Sequence, residues 1–124
     1  MKIVFNKRDA VYIQVIRHFK QLIAKGELGP GQQIPSRREL ANDLKINPNT
    51  AQRAYKEMEE EGLIYTESNQ PSRVTKDKAL IGTLRNEIIT EAVQAFVNSM
   101  QEINVPLNEC VKLIQSNYEG GDEQ

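Results

Sequence analysis

The sequence has few of the residues that disulfides, metal sites and many active sites require. Among 124 residues it contains one cysteine, Cys110, one histidine, His18, and no tryptophan. A single cysteine cannot form a disulfide within the chain, and these two residues cannot supply a zinc site built on Cys or His ligands. One histidine also leaves little material for a Ser-His-Asp triad. These counts argue against metal-dependent and His-dependent enzymes. Since the sequence shows no other polar catalytic constellation, we predict a protein without a metal, a cofactor or an enzymatic activity.

Long apolar runs and export signals are also missing. Hydrophobic residues make up 39% of the chain and charged residues 27%, which is typical of a folded globular protein. The longest apolar runs span only a few residues, so the sequence predicts no membrane span. The first nine residues, MKIVFNKRD, lack the apolar stretch of a secretory signal. These features predict a cytoplasmic protein that does not bind a membrane.

Charge is distributed unevenly along the chain. Residues 1–78 contain 14 Lys and Arg against 10 Asp and Glu, whereas residues 79–124 contain 2 against 7. The first part is therefore basic and the second acidic, although the net charge is only −1. This asymmetry favours a first part that meets a polyanion, but chance scatter of charge in small domains explains it equally well.

Apolar spacing and capping residues predict three helices in the first part of the chain. The first runs from Asp9, as N-cap, to about Lys25, and Gly26 ends it. A loop rich in Gly and Pro follows over residues 26–35.

The next two helices are short and closely spaced. Ser36 and Glu39 form a capping-box pattern that predicts a helix to about Leu44. Asn47 is a second N-cap, and Pro48 stands at the first helical position, where its missing N–H costs nothing. The third helix ends at about residue 62. The two helices are thus joined by a turn of only a few residues.

A hairpin and two further helices complete the predicted order. Residues 63–67 and 72–75 read as short strands, and the Ser-Asn-Gln-Pro sequence between them has turn chemistry. Residues 77–82 carry no strong signal and are interpreted as a hinge.

After them, two amphipathic helices are separated at the Asn104-Val105-Pro106 break. This tail is too short to bury its own apolar faces. We therefore predict that it pairs with a second copy through Leu84, Ile88, Ala92, Phe96, Met100, Val111 and Ile114. Folding of this tail back onto its own chain is the alternative.

Two short helices joined by a tight turn are typical of a helix-turn-helix, whose second helix enters the major groove of DNA. Asn and Gln side chains match the groups that adenine presents in that groove, Arg matches guanine, and Thr can bond a phosphate. Arg37 and Arg38 begin the preceding helix. The predicted DNA contacts are Ser36, Arg37, Arg38, Asn47, Asn49, Thr50, Gln52, Arg53, Asn69 and Arg73.

Residues 26–65 closely resemble the winged helix-turn-helix domain of the GntR family of bacterial transcription regulators. The specific motifs are Pro-Ser-x-Arg-Glu-Leu-Ala at residues 35–41 and Asn-Pro-Asn-Thr at 47–50, followed by Ala54-Tyr55. The two-helix tail is similar in length to that of the YtrA-type subfamily. The fold expected is mainly α with a small β-hairpin wing, in which a winged helix-turn-helix over 1–78 precedes a dimerisation tail over 79–124.

The resemblance implies a homodimer on a pseudo-palindromic operator, and it implies roles for single residues. Arg38 falls on a base-reading arginine, and Thr50 on a threonine that meets phosphate or base. Gln52 stands where many relatives have arginine, so adenine is favoured over guanine there. Asn69 occupies a wing-tip position that is usually glycine. Lys45 replaces a common turn glycine, at a cost of about 1 kcal/mol if its φ is positive.

The function predicted is that of a sequence-specific transcriptional regulator, most simply a repressor. The alternative is a winged-helix module that binds a protein partner and no DNA. A small-molecule effector would have to use the dimer interface or a groove beside the tail, and a regulator without an effector is equally tenable. Cys110 on an apolar helical face is interpreted as a packing residue, and the rings of Tyr12 and Tyr55 as core.

Overall fold

The computed structural model describes residues 1–120, and within them it shows five helices and one antiparallel hairpin. The elements are α1 (Val11–Lys25), α2 (Arg37–Leu44), α3 (Pro48–Glu60), β1 (Ile64–Tyr65), β2 (Arg73–Val74), α4 (Lys78–Glu102) and α5 (Leu107–Gly120). The chain divides into two compact units, Met1–Arg85 and a second that starts at Asn86. None of the helices described has the length and apolar character to cross a bilayer. The predicted fold class, mainly helical with a hairpin wing, is confirmed.

The core of the first unit forms where α1 and α2 pack against α3. The rings of Phe19 and Tyr55 meet edge to face, with their centroids 5.8 Å apart. The Tyr55 hydroxyl donates a 2.6 Å hydrogen bond to the Pro35 carbonyl, and burial raises its pKa. Tyr55 is thus a core residue, as expected. Other fully buried side chains are Val15, Ile23, Ile34, Leu40, Met58 and Val74.

Helix α1 starts later than the sequence predicts. Its N-cap is Ala10, which makes no side-chain capping bond, so the prediction that Asp9 caps this helix is wrong. The Asp9 carboxylate instead accepts a 3.1 Å hydrogen bond from the Asn6 amide and lies 3.6 Å from the Arg17 guanidinium. At the other end Gly26 has a φ of +85° and ends the helix as predicted.

The wing is a small sheet with one more segment than the sequence suggests. Strands β1 and β2 pair antiparallel, with Ile64 opposite Val74. The predicted Gly- and Pro-rich loop also pairs with β2, because the Ile34 N–H donates to Ser72 O and the Val74 N–H donates to Gln32 O, each at 2.9 Å. A loop segment therefore holds the wing against the helices.

The predicted hinge over residues 77–82 is wrong, because α4 begins at Lys78. The Asp77 carboxylate accepts hydrogen bonds from the N–H groups of Ala79 and Leu80 at 3.0 and 3.1 Å, which is the contact of an N-cap. The break before α5 is confirmed: Asn104 has a φ of +57°, and Pro106 immediately precedes the helix.

Candidate nucleic-acid interface

The start of α2 is fixed by a complete capping box. The Ser36 hydroxyl accepts a 3.1 Å hydrogen bond from the Glu39 N–H, and the Glu39 carboxylate accepts one of 3.1 Å from the Ser36 N–H. The hydrogen bond from the Ser36 N–H to the ionised carboxylate, helped by the Ser36 hydroxyl, lowers the pKa of Glu39. Both residues are exposed, so the capped end of the helix faces solvent.

Arg37 and Arg38 point in different directions, although they are adjacent. The guanidinium of Arg37 lies 2.7 Å from the Glu59 carboxylate and 5.1 Å from the centroid of the Tyr55 ring. Its Nε is buried and has no hydrogen-bond partner among residues 1–120. Arg38 is exposed, and within the same residues its side chain makes no ion pair or hydrogen bond. The structure therefore leaves Arg38 exposed to solvent and holds the half-buried Arg37 against Glu59 and Tyr55.

Glu59 links Arg37 to the wing. The Thr66 hydroxyl donates a 2.9 Å hydrogen bond to the same carboxylate oxygen of Glu59 that Arg37 contacts. That hydroxyl also lies 2.6 Å from the hydroxyl of Ser72, which is buried next to β2. Sequence analysis did not find this role for Glu59, because it lies in an acidic run and its partners are distant in the sequence.

The leading end of α3 is exposed and polar. Asn47 caps it by accepting a 2.8 Å hydrogen bond from the Asn49 N–H, and Pro48 occupies the first turn as predicted. Asn47, Asn49 and Gln52 are exposed, and Thr50 is half-buried. On the inward side of the same turn, Ala51 is fully buried. This end therefore offers amide and hydroxyl groups to a ligand outside the domain.

Arg53 lies one residue further along α3 and is held by two neighbours. Its guanidinium carbon is 3.8 Å from the centroid of the Tyr12 ring on α1, and its Nε is 3.6 Å from the Glu57 carboxylate. The side chain is still 61% exposed. Tyr12 is half-buried rather than a full core residue. No sequence signal links positions 12 and 53, since the contact depends on the packing of α1 against α3.

The wing carries one predicted basic contact, Arg73, and its predicted tip residue is Asn69. Asn69 has a φ of +58° in the turn between the strands and is exposed, so it takes the left-handed conformation for which glycine is common. The guanidinium of Arg73, however, donates a 3.0 Å hydrogen bond to the Gly31 carbonyl and is half-buried. Arg73 therefore stabilises the base of the wing rather than its tip.

The turn between α2 and α3 carries an exposed lysine in a strained conformation. Lys45 has a φ of +55° and a ψ of +45°, which confirms the positive φ considered from the sequence. Lys45 is exposed in the turn between the two helices, and Arg38 on α2 and Arg53 on α3 are exposed as well. These cations suit a polyanionic ligand.

The second unit contains an open apolar cleft between the end of α4 and α5. The cleft has a volume of about 480 Å³ and is lined by side chains that include Phe96, Met100, Val105, Cys110, Val111 and Ile114. Cys110 is buried, and its thiol lies 4.0 Å from the Val105 carbonyl, which agrees with a packing role. Leu84, by contrast, is only 4% exposed and belongs to the first unit, so it has no surface to offer a second copy.

Comparisons with known proteins place the chain in a family. Residues 11–74 match the family described as bacterial regulatory proteins, gntR family. The HTH-type transcriptional repressor YtrA of Bacillus subtilis (strain 168) is 33% identical over 115 residues, which cover 90% of this chain and 88% of YtrA. The chain therefore belongs to the GntR family and resembles its YtrA-type members over nearly its full length.

Solved structures agree with this assignment. A GntR family transcriptional regulator from Listeria monocytogenes superposes with a TM-score of 0.86 at 30% identity, covering 90% of this chain and 98% of that one. AraR(DBD) in complex with operator ORX1 has a TM-score of 0.53 at 22% identity and covers 60% of this chain and 96% of its own, which shows a shared fold.

Proposed function

We propose that this GntR-family regulator binds a pseudo-palindromic DNA operator as a homodimer and represses transcription by occupying it. The observation that carries the proposal is the leading end of α3, where Asn47, Asn49 and Gln52 are exposed. Such an end can enter the major groove, which admits an α-helix. A function at the operator also implies action in the bacterial cytoplasm, without catalysis or a cofactor.

The exposed residues divide into two proposed roles. The candidates for reading base edges are Arg38, Asn49, Gln52 and Arg53, because a guanidinium or a side-chain amide can form two hydrogen bonds with a base edge. Phosphate contacts are assigned to Lys45, Thr50 and the helix starts capped by Ser36 and Asn47.

Two predicted contacts take an indirect role in this proposal. Arg37 supports the interface by fixing the start of α2, and Arg73 does so by fixing the wing. Asn69 remains the proposed wing-tip contact, and the lack of a cation there predicts weak binding in the minor groove.

We propose that residues 79–124 form the dimerisation tail, within which the apolar cleft is the contact surface. Val111 and Ile114 are 44% and 43% exposed at the cleft, an unfavourable state for large apolar side chains in water. A second copy would cover them, together with Ile88, Ala92, Phe96 and Met100. A twofold dimer then presents two α3 helices to two half-sites, which is why the operator is expected to be pseudo-palindromic.

The proposal also covers the sign of regulation and the place of an effector. Repression is favoured because YtrA of B. subtilis, which is similar over most of its length, is named a repressor. An apolar effector could use the tail cleft, although repression needs none. A module that binds only protein is not favoured, since it leaves the exposed polar end of α3 and the neighbouring cations without a role.

The salt dependence of binding tests this function without knowledge of the operator. Fluorescence anisotropy with a labelled random-sequence duplex should show that the logarithm of the binding constant falls linearly with the logarithm of salt concentration. The slope should be about −0.9 per phosphate neutralised. An α3 variant with Asn49→Ala is the matched control, because it should keep this non-specific slope. Absent or salt-insensitive binding would instead support the protein-interaction alternative.

A further inference from the structure

We infer that Tyr12 of α1 is a positioning residue that orients Arg53 to read a guanine in each half-site. The inference rests on the proposed function, since it assigns a specificity role within the same DNA-binding surface. It adds a residue outside the helix-turn-helix segment to the determinants of specificity.

The geometry around Arg53 restrains the guanidinium without using its terminal nitrogens. The guanidinium carbon lies over the Tyr12 ring, 3.8 Å from the ring centroid. Glu57 approaches the Nε edge at 3.6 Å. Within residues 1–120, neither terminal nitrogen of Arg53 makes a hydrogen bond, and the side chain is 61% exposed. The two nitrogens that form the outer edge of the fork are therefore available.

This arrangement suits guanine recognition. A guanine presents O6 and N7 side by side in the major groove, and an arginine pairs with both through two parallel N–H groups. Stacking on an aromatic face fixes the plane of the guanidinium while its edge stays able to donate. A side chain that is already ordered loses less conformational entropy when it binds. Tyr12 thus supplies preorganisation, and Arg53 supplies the contact.

The positions of the two residues make the arrangement stable in the unbound domain. Tyr12 is half-buried on α1 and Arg53 lies on α3, and these two helices pack directly against each other. Val15 and Ile16, which follow Tyr12 by three and four residues on the same face of α1, are buried. Arg53 also follows Gln52 directly, so it lies within the first two turns of the proposed recognition helix.

The experiment compares Tyr12→Leu with Tyr12→Phe, which keeps the ring. The probe is a duplex selected by the unaltered full-length protein, used together with derivatives in which each G·C pair is changed in turn to A·T. Tyr12→Leu should weaken binding to the selected duplex about tenfold and remove the preference for one G·C pair in each half-site. Tyr12→Phe should bind like the unaltered protein. Binding to random-sequence DNA should be equal in all three, because a positioning role affects only the specific complex.

A double-mutant comparison tests whether Tyr12 acts through Arg53. In an Arg53→Ala background, Tyr12→Leu should have no further effect on affinity or base preference. An equal tenfold loss in that background would show that Tyr12 supports the fold in general and would overturn the inference. Unchanged or tighter binding by Tyr12→Leu alone would overturn it as well, since the ring would then be irrelevant or would be holding Arg53 away from DNA.

A separate variant covers the case in which Tyr12→Leu does not fold. Arg53→Lys keeps the charge but loses the two parallel N–H donors of the guanidinium, so it should lose the same G·C preference. The slope of log binding constant against log salt concentration should change by no more than the contribution of one phosphate contact. Retention of that preference by Arg53→Lys would contradict the inference. Failure of the unaltered protein to select any duplex would be a different result, because it would contradict the proposed function itself.

Discussion

The guanidinium of Arg37 donates a 2.7 Å ion-paired hydrogen bond to the carboxylate of Glu59, 22 residues further along the chain. Through Thr66 the same carboxylate reaches the wing, so this pair joins the start of α2 to the hairpin. The next residue, Arg38, takes no part in these contacts. Two adjacent arginines therefore have different roles, one in the architecture of the domain and one at its surface.

Replacing Arg38 by alanine should weaken specific DNA binding and leave the fold intact. We expect a loss of about 1–3 kcal/mol in binding free energy, the usual cost of one base-reading arginine. The free energy of unfolding should change by less than about 0.5 kcal/mol, because the side chain is exposed. Gel-shift titration with a selected operator and urea unfolding measure the two quantities. Full retention of affinity would contradict the proposed docking of α2.

Replacing Arg37 by alanine should mainly destabilise the domain. The change removes the hydrogen bond to Glu59 and the contact with Tyr55, for which we expect a loss of about 1–3 kcal/mol in unfolding free energy. Urea unfolding monitored by circular dichroism provides the measurement, and Arg38→Ala is its matched control. Loss of DNA affinity at unchanged stability would show that Arg37 contacts DNA directly.

Lys45→Gly should stabilise the protein. Lys45 has a φ of +55°, where a side chain with a Cβ is strained and glycine is not. We expect a gain of up to about 1 kcal/mol, reduced by the greater freedom of glycine in the unfolded chain. Lys45→Ala is the control, because it removes the charge but keeps the Cβ. A stabilisation by alanine equal to that by glycine would assign the effect to charge rather than to backbone strain.

The capping box should contribute stability that depends on pH. Folding lowers the pKa of Glu39, so the folded state favours the carboxylate. The contribution is therefore present above the ordinary value of 4.5 and is lost as pH falls through the lowered folded pKa. Unfolding of the original protein and of Glu39→Gln between neutral and acidic pH should show a difference that disappears on acidification. A difference that grows as pH falls would contradict the assigned sign.

The tail should keep the protein dimeric. The double variant Val111→Asp and Ile114→Asp places two charges in the apolar cleft, where burial against a second copy would be costly. Sedimentation at micromolar concentration should show a dimer for the original protein and a monomer for this variant. Asn108→Asp, an exposed change at the start of the same helix, should remain dimeric. A monomeric original protein would defeat the proposal.

Local sequence chemistry predicted the elements that depend on nearby residues. Ser36 and Asn47 cap their helices as expected, because a cap is decided within three or four residues. Asp77 was missed as a cap, since no strong apolar stripe marks the start of α4. The pairing of residues 32–34 with β2 also escaped prediction, because a Gly- and Pro-rich segment carries no strand pattern.

Side-chain direction was the least predictable feature of the site. The sequence identified Arg37, Arg53 and Arg73 as basic residues near a DNA-binding surface. It could not show that they contact Glu59, Tyr12 and Gly31, because each contact joins residues 22 or more positions apart through tertiary packing. Exposure, by contrast, was correctly expected for Asn49 and Gln52, which occupy the outward face of an amphipathic helix.

Selection of bound fragments from a random pool of duplex DNA tests the central claim most directly. A twofold dimer that places α3 of each copy in the major groove should enrich an inverted repeat whose half-site centres are about one helical turn, or a multiple of it, apart. Recovery of no enriched sequence, or of a single unrepeated site, would contradict the account.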